Sequence, residues 1–371
     1  MTAIYYLLVI TCLIQIVFYT LIFTKYLISK NSAAKISIDS LKPASVVICA
    51  KNEFQNLSTF LPKIIEQDFP IFEVIVVDDG STDQTPQLLQ TLEDQYPHFF
   101  SFRIESENKT HPGKKQALQY GISLAKYDHI VVTDADCYPQ SRQWLQWITS
   151  PLHKTADVVL GVSPLIPTKG FSNLFFRMEA YFVALQYVNF TLAGLPFMGV
   201  GRNMAYKKHV FKEHDMTAHW DLTSGDDDLF ISDISSEFKI EMMTHPESFT
   251  FSAAPKNLKK WMHQKLRHYS AGYRYELIQK VWLGYYWVSS LLLFFLCFFI
   301  PTLYARGHSI SKFSIILLLV TTLLRWFITE RSLQKLTAQY YFFSVPLMDF
   351  LYIISVWIIS PISTFIKHKW K

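Results

Sequence analysis

The alternation of apolar and polar positions divides the chain into three parts. Residues 4–23 carry no formal charge, and about twenty such residues are what a helix needs to cross a hydrocarbon core roughly 30 Å thick. Lys25, Lys30 and Lys35 follow this run instead of preceding it, which predicts a retained anchor over 1–25 and not a cleaved secretory signal. A long segment of ordinary polarity comes next. The chain then turns apolar again: 281–305 is uncharged, 313–329 is interrupted only by Arg325, and 340–366 holds Asp349 near its start. Three further spanning helices are expected within 281–371.

The bias of Lys and Arg toward the cytoplasm puts the N-terminus outside and the middle segment in the cytosol of a multi-pass protein of the inner (cytoplasmic) membrane. Four crossings would leave Lys367, His368, Lys369 and Lys371 outside, against that same bias. One of the last runs lying in the interface or re-entering would remove the conflict. Arg325 is expected to snorkel or to face a polar cavity.

Within the middle segment, 45–50 and 72–77 are continuous apolar runs that end in Lys51, Asn52 and Glu53 and in Asp78, Asp79 and Gly80. Both predict strands buried on two faces. Between them Leu57, Phe60, Leu61, Ile64 and Ile65 recur at helical spacing. The pattern continues with a helix after Asp83, a strand near 99–104, a helix over 114–125 and a strand over 130–133 that runs into Asp134-Ala135-Asp136. The fold class is therefore α/β with a mostly parallel central sheet. Ligands bind beyond the carboxyl ends of such strands, where Glu53, Asp78, Asp79, Asp134 and Asp136 all fall. Residues 171–197, apolar but broken by Arg177 and Glu179, predict an interfacial helix near the cleft.

Composition narrows the function. Half the residues are hydrophobic and 18% are charged, with a net charge of only +5, so neither disorder nor a nucleic-acid partner is supported. Cys12, Cys49, Cys137 and Cys297 lie far apart and form neither a disulfide framework nor a CxxC metal site. There is no GxxxxGK[ST] loop and no GxGxxG after the first strand, which disfavours P-loop and dinucleotide enzymes. An Asp-Asp-Gly-Ser turn needs no function to explain it. A carboxylate pair spaced i, i+2 at a strand end, however, can clamp a hard divalent cation against a phosphate. Two acidic strand ends in one sheet favour that reading.

Ala50-Lys51-Asn52-Glu53, 77–83 (VDDGSTD), Gly113-Lys114 with Ala117 and Gly121, Asp134-Ala135-Asp136, 199–205 (GVGRNMA), 224–229 (SGDDDL) and 264–268 (QKLRH) occur in this order. Together they resemble the membrane-anchored family-2 glycosyltransferases with a GT-A domain, relatives of the processive polysaccharide synthases of the cell envelope. The resemblance implies an inverting transferase that uses a nucleotide-diphosphate sugar and Mg²⁺ or Mn²⁺. It implies a GT-A domain over 26–255, an interfacial amphipathic helix with a QxxR motif over 256–280, and membrane helices over 281–371. Donor contacts would come from Ala50, Asn52, Glu53, Asp78, Asp79, Lys114, Asp134, Gly201 and Asn203, with the base and ribose at Glu53, Asp78 and Asp79. Asp134 and Asp136 would hold the metal and the diphosphate.

Departure of a diphosphate concentrates negative charge, so cations must stand where it appears; Lys114 and Arg267 are the candidates. Trp261, Gln264, Arg267 and His268 fall on one stripe of a helix, a pattern that a basic membrane-surface helix would share. Inversion also needs a base opposite the leaving group. The Asp226-Asp227-Asp228 run supplies it, and both Asp226 and Asp227 remain candidates beside Gln264 and Arg267 as catalytic residues. His268 stands where the family has Trp. The expected acceptor is a lipid-linked glycan or polysaccharide held among membrane lipids. A catalytically inactive scaffold or sensor that binds nucleotide sugar, or a transporter, are the competing readings.

Overall fold

The computed structural model describes residues 2–29, 37–105, 107, 109–110, 113–214, 219, 222, 225, 227–307 and 311–365. Four strands form its parallel heart: β1 (Ala44–Ala50), β2 (Phe72–Asp78), β3 (Phe99–Arg103) and β4 (His129–Asp134). β1 lies between β2 and β4, parallel to both, so the chain leaves it in opposite directions and a crevice opens at its carboxyl end. The register sets Ala50 against Asp78 and Cys49 against Asp134. The acidic strand ends therefore flank one point.

Successive side chains of β1 point to opposite faces. Val46 and Ile48 enter one core with Leu57, Leu61, Trp144 and Ile148, whereas Val47 enters the other with Ala117, Leu118, Ile122 and Phe230. Burial on both faces explains why these strands read as unbroken apolar runs. Helices α1 (Phe54–Ile65), α2 (Thr85–Gln95) and α3 (Lys115–Leu124) make the crossovers. Gly121 on α3 lets that helix sit close, since a Cβ there would stand 2.6 Å from Val47 Cγ1.

Three short strands extend the sheet beyond the apolar runs: β6 (Val158–Leu160), β7 (Met204–Lys207) and β8 (Ile240–Met242), giving the order β3-β2-β1-β4-β7-β6-β8. β7 pairs antiparallel with β4 and with β6. A separate ribbon joins β5 (Cys137–Pro139) to β9 (Thr250–Ser252).

Four helices are long and apolar enough to cross a membrane: Thr2–Ile28, Leu277–Ala305, Lys312–Thr337 and Val345–Ser363. The expected surface helix is corrected. Phe171–Leu192, here α4, packs instead between the sheet domain and these four helices, and its Arg177 and Glu179 are both buried. Arg177 donates to the Tyr341 hydroxyl at 2.9 Å, and Glu179 pairs with Lys265 at 2.7 Å. Helix α5 (Leu258–Tyr269) lies against α4 through Trp261, which stacks on Phe176.

Arg325 neither snorkels nor faces water. It is buried and bonds Asp349 through two nitrogens, at 2.6 and 2.8 Å, as well as Gln15 at 2.7 Å and Ser290 at 2.9 Å. One residue thus ties together all four long helices.

The last of these helices runs back toward the sheet domain. Trp326 donates to the Phe342 carbonyl and the Tyr341 amide to Glu330, so the link after Thr337 folds back along its own helix. Phe350 then packs on Phe294 and Phe298, Trp357 reaches the Trp287 carbonyl, and Ile359 joins Trp261, Phe176 and Leu165. At 1.5 Å per residue, Phe298 lies about 30 Å along the helix that starts at Leu277, and Trp287 about 15 Å. Val345–Ser363 thus ends beside α5. Lys335 meanwhile bonds the Ser29 carbonyl at 2.7 Å, which brings the end of the third long helix beside the end of the first.

Candidate active site

A cavity of about 270 Å³ opens at the carboxyl end of β1. Its lining gathers Ala50, Glu53, Asp79, Lys114, Asp134, Asp136, Asp227, Gln264 and Arg267 from six separate stretches of sequence. Those before residue 230 stand at or beyond a strand end or precede a helix, whereas Gln264 and Arg267 stand within α5. Lys114 stands at the start of α3 and its ammonium meets Asp134 at 2.8 Å. Asp79, buried beyond β2, pairs with Lys109 and lies 4.0 Å from Lys51. Gln264, Lys265, Arg267 and His268 line the cavity from α5.

Asp227 stands just before α6 (Asp228–Ile234). One of its oxygens accepts the Gly201 N–H at 2.7 Å and the other the Asp228 N–H at 3.0 Å. The first of these bonds ties the carboxylate to the loop before β7, and the second caps α6. A Cβ on Gly201 would come within 3.1 Å of the Lys114 ammonium and 3.2 Å of Asp227 Oδ2, so a glycine there keeps acid and cation close. Asp226 lies outside the described residues.

The two acids after β4 differ electrostatically. Burial opposes ionisation of Asp134, but Lys114, with Arg202 and Arg267 behind it, outweighs burial and holds the carboxyl below its usual range. Asp136 is shifted up, first by burial and then by the neighbouring Asp134 charge. Two carboxylates in this relation attract a cation. Asp134, Asp136 and Cys137 each offer a ligand atom within 4.8 Å of the others. Burial and the adjacent carboxylates raise the Cys137 thiol well above its usual value, so it stays protonated. The donor set is then two carboxylate oxygens, which suits Mg²⁺ or Mn²⁺. His268, pushed well below the ordinary imidazole range by burial and then by Arg267, Lys265, Arg202 and Lys114, is neutral.

Four expected donor contacts sit elsewhere: Gly201, whose amide donates to Asp227, does not line this cavity, and neither do Asp78, Asn52 and Asn203. Asp78 is buried, bonded to Arg103 at 3.0 Å and to the Ser81 amide at 2.9 Å, and does not line the cavity. Asn52, at φ +55°, turns outward and accepts the Thr82 amide; it lines a neighbouring surface groove with Glu53. Asn203 is fully buried, donating to the Val162 and Ser248 carbonyls and accepting the Trp144 indole N–H. Its role in the fold is to fix a loop. Arg202, Lys109 and Lys265 reach the acids or the cavity without having been singled out as site residues. Arg202 could have been found, because a cation between two glycine-rich positions and a strand is placed to meet a ligand.

Comparison with known proteins fits this architecture. Residues 45–215 match glycosyl transferase family 2. Poly-beta-1,6-N-acetyl-D-glucosamine synthase of Staphylococcus aureus is 30% identical over 108 residues, which cover 29% of this chain and 25% of that protein. The Staphylococcus epidermidis protein of the same name is 29% identical over 92 residues, covering 25% of this chain and 21% of that one. The chain thus matches only about a quarter of the length of these relatives. Among solved structures, the mannosyltransferase PcManGT from Pyrobaculum calidifontis, in complex with GDP-Man and Mn²⁺, shares the fold with a TM-score of 0.60 at 19% identity, covering 97% of this chain and 98% of that one.

Proposed function

We propose that the chain, whose residues 45–215 match glycosyl transferase family 2, moves a sugar from a nucleotide-diphosphate donor to a membrane-associated acceptor with inversion. The observation that carries this reading is the convergence of Asp79, Asp134, Asp136 and Asp227 with Lys114 and Arg267 around one cavity. The acceptor hydroxyl oxygen attacks the anomeric carbon, and its proton passes to the Asp227 carboxylate. The bond from that carbon to the diphosphate oxygen breaks, and its electron pair leaves with the diphosphate. Asp134 and Asp136 would hold a divalent cation, which when bound offsets charge on the diphosphate. Lys114 and Arg267 stabilise the same charge from the protein side. Glu53 and Asp79 orient the nucleoside.

The acceptor is membrane-bound in this reading because α4 contributes Ala180, Val183, Ala184 and Tyr187 to the cavity wall while packing against the long apolar helices. An acceptor tethered to the bilayer needs such a wall. In this reading the cavity opens on the cytosolic side of the inner membrane, the side to which Val345–Ser363 returns beside α5. The intramembrane Arg325–Asp349 pair does not favour a transporter, since neither group is left to meet a solute.

The test is transfer from a panel of labelled nucleotide sugars to lipid-soluble or high-mass product, in membranes holding the protein, with and without EDTA. Product that requires metal and vanishes in Asp134→Asn and Asp136→Asn variants supports the reading. Transfer indifferent to EDTA counts against the metal assignment, and no product from any donor favours an inactive scaffold.

A further inference from the structure

The loop between α4 and β7 contains a cation that the assignment above leaves unused. Arg202 lines the cavity beside Asp134 and Asp136. Its backbone is held from several sides. The Arg202 carbonyl accepts the hydroxyls of Thr133 on β4 at 2.8 Å and Thr250 on β9 at 3.0 Å. The next residue, Asn203, is locked by the three side-chain bonds already described, and its carbonyl accepts the Gly161 amide at 2.8 Å. Such anchoring serves the side chain. Its guanidinium donates to Ser252 Oγ at 2.6 Å. Among the described residues no carboxylate lies within ion-pair distance of it, although its charge lowers the proton affinity of both Asp134 and Asp136.

A guanidinium has five N–H donors in a fixed fork that matches phosphate oxygens. One donor is spent on Ser252, and among the described residues no acid takes the others, which leaves them for an anion in the cavity that Arg202 lines. The side chain costs least when an anion is present. Lys114, by contrast, is bonded to Asp134, and Arg267 approaches from the far wall on α5.

We propose that Arg202 is a catalytic residue that binds the donor diphosphate directly, its fork bridging the phosphate oxygens next to Asp134 and Asp136, with Ser252 setting its orientation. This rests on the glycosyltransferase reading and adds a third cation to it. Arg202 stabilises the oxygen that receives the electron pair when the anomeric bond breaks, so it acts on binding of the diphosphate and more strongly on its departure.

The experiment measures calorimetric binding of UDP, GDP, UMP and GMP, with Mn²⁺ present and absent, to the purified full chain and to its Arg202→Gln, Arg202→Lys and Ser252→Ala variants. Thermal midpoints are measured alongside. A charged hydrogen bond to phosphate corresponds to roughly a 10- to 100-fold change in affinity. Arg202→Gln is expected to weaken the bound diphosphate nucleotide by at least tenfold in both metal conditions, to leave the monophosphate unchanged, and to unfold at the wild-type temperature. Arg202→Lys is expected to recover part of the loss, and Ser252→Ala to lose less than Arg202→Gln. Equal diphosphate affinity in wild type and Arg202→Gln overturns the proposal while leaving the glycosyltransferase reading intact. An equal loss of monophosphate and diphosphate affinity overturns it too, because the effect is then structural. Failure of the wild type to bind either diphosphate overturns the broader reading, and this one with it.

Discussion

Replacing Asp227 by Asn probes the proton acceptor with least disturbance. The two side chains have nearly the same volume, and the native carboxylate accepts the amides of Gly201 and Asp228, at 2.7 and 3.0 Å. An asparagine keeps one of those bonds through its oxygen and turns an NH₂ toward the other donor, which costs on the order of 1 kcal/mol of stability. The loss of a positioned base is larger, roughly 10²- to 10⁴-fold in rate, or about 3 to 5 kcal/mol of barrier. The two magnitudes separate cleanly. Transfer is followed by release of nucleotide diphosphate, binding by calorimetry, and folding by thermal midpoint. Asp227→Asn is expected to reduce kcat at least 100-fold with diphosphate affinity within threefold of wild type. A variant that retains a tenth of the wild-type kcat refutes the assignment, and the base then passes to Asp226 if Asp226→Asn abolishes turnover alone.

Three other expectations concern the scaffold. His129 is buried at the foot of β4 and faces His153; burial, and then His153, lower its pKa from 6.5 to about 4. The folded state therefore keeps this imidazole neutral, and the stability it allows is complete above pH 6.5 and falls by about 3 kcal/mol as pH drops to 4; a His129→Phe variant should show a shallower decline in thermal midpoint between pH 7 and 5. Asp349→Asn strands a buried guanidinium and should cost about 3 to 5 kcal/mol, whereas the Arg325→Met, Asp349→Leu double variant should recover most of it; detergent-solubilised unfolding curves that rank the double variant below the single would refute this. An impermeant maleimide applied to intact cells should label Arg306→Cys and leave Thr364→Cys untouched, while equal labelling would mean that the last helix crosses the bilayer.

The legible parts of this molecule were those where one physical demand controls a stretch of sequence. β1 and β2 are buried on both faces, and only unbroken apolar runs such as those over 45–50 and 72–77 satisfy that. The acids that follow them could be placed because strand ends in a parallel sheet share one rim. β6, β7 and β8, at three or four residues each, carry too little periodicity to be recognised, and their pairing depends on partners far along the chain. The intramolecular partners of Asn203 and Asp78 were not legible for a related reason. A polar residue beside a motif looks the same in sequence whether its partner is a ligand or a carbonyl such as Val162 O or a guanidinium such as that of Arg103.

The least legible feature was α4, and it is the one that joins membrane to cleft. Its composition resembles a surface helix because Arg177 and Glu179 interrupt it, yet each charge is answered from a distant segment, by Tyr341 and by Lys265. Burying Glu179 at 1% exposure is tolerable only with Lys265 in place. That pair, together with Trp261 on Phe176, fixes α5 on α4. Since α5 also carries Gln264 and Arg267 into the cavity and touches the last long helix through Ile359, the position of Arg267 is set by contacts that reach the long apolar helices. On the proposed reading, a bilayer-tethered acceptor and a donor from solution meet in one cavity because a single buried helix both lines that cavity and packs on the long apolar helices.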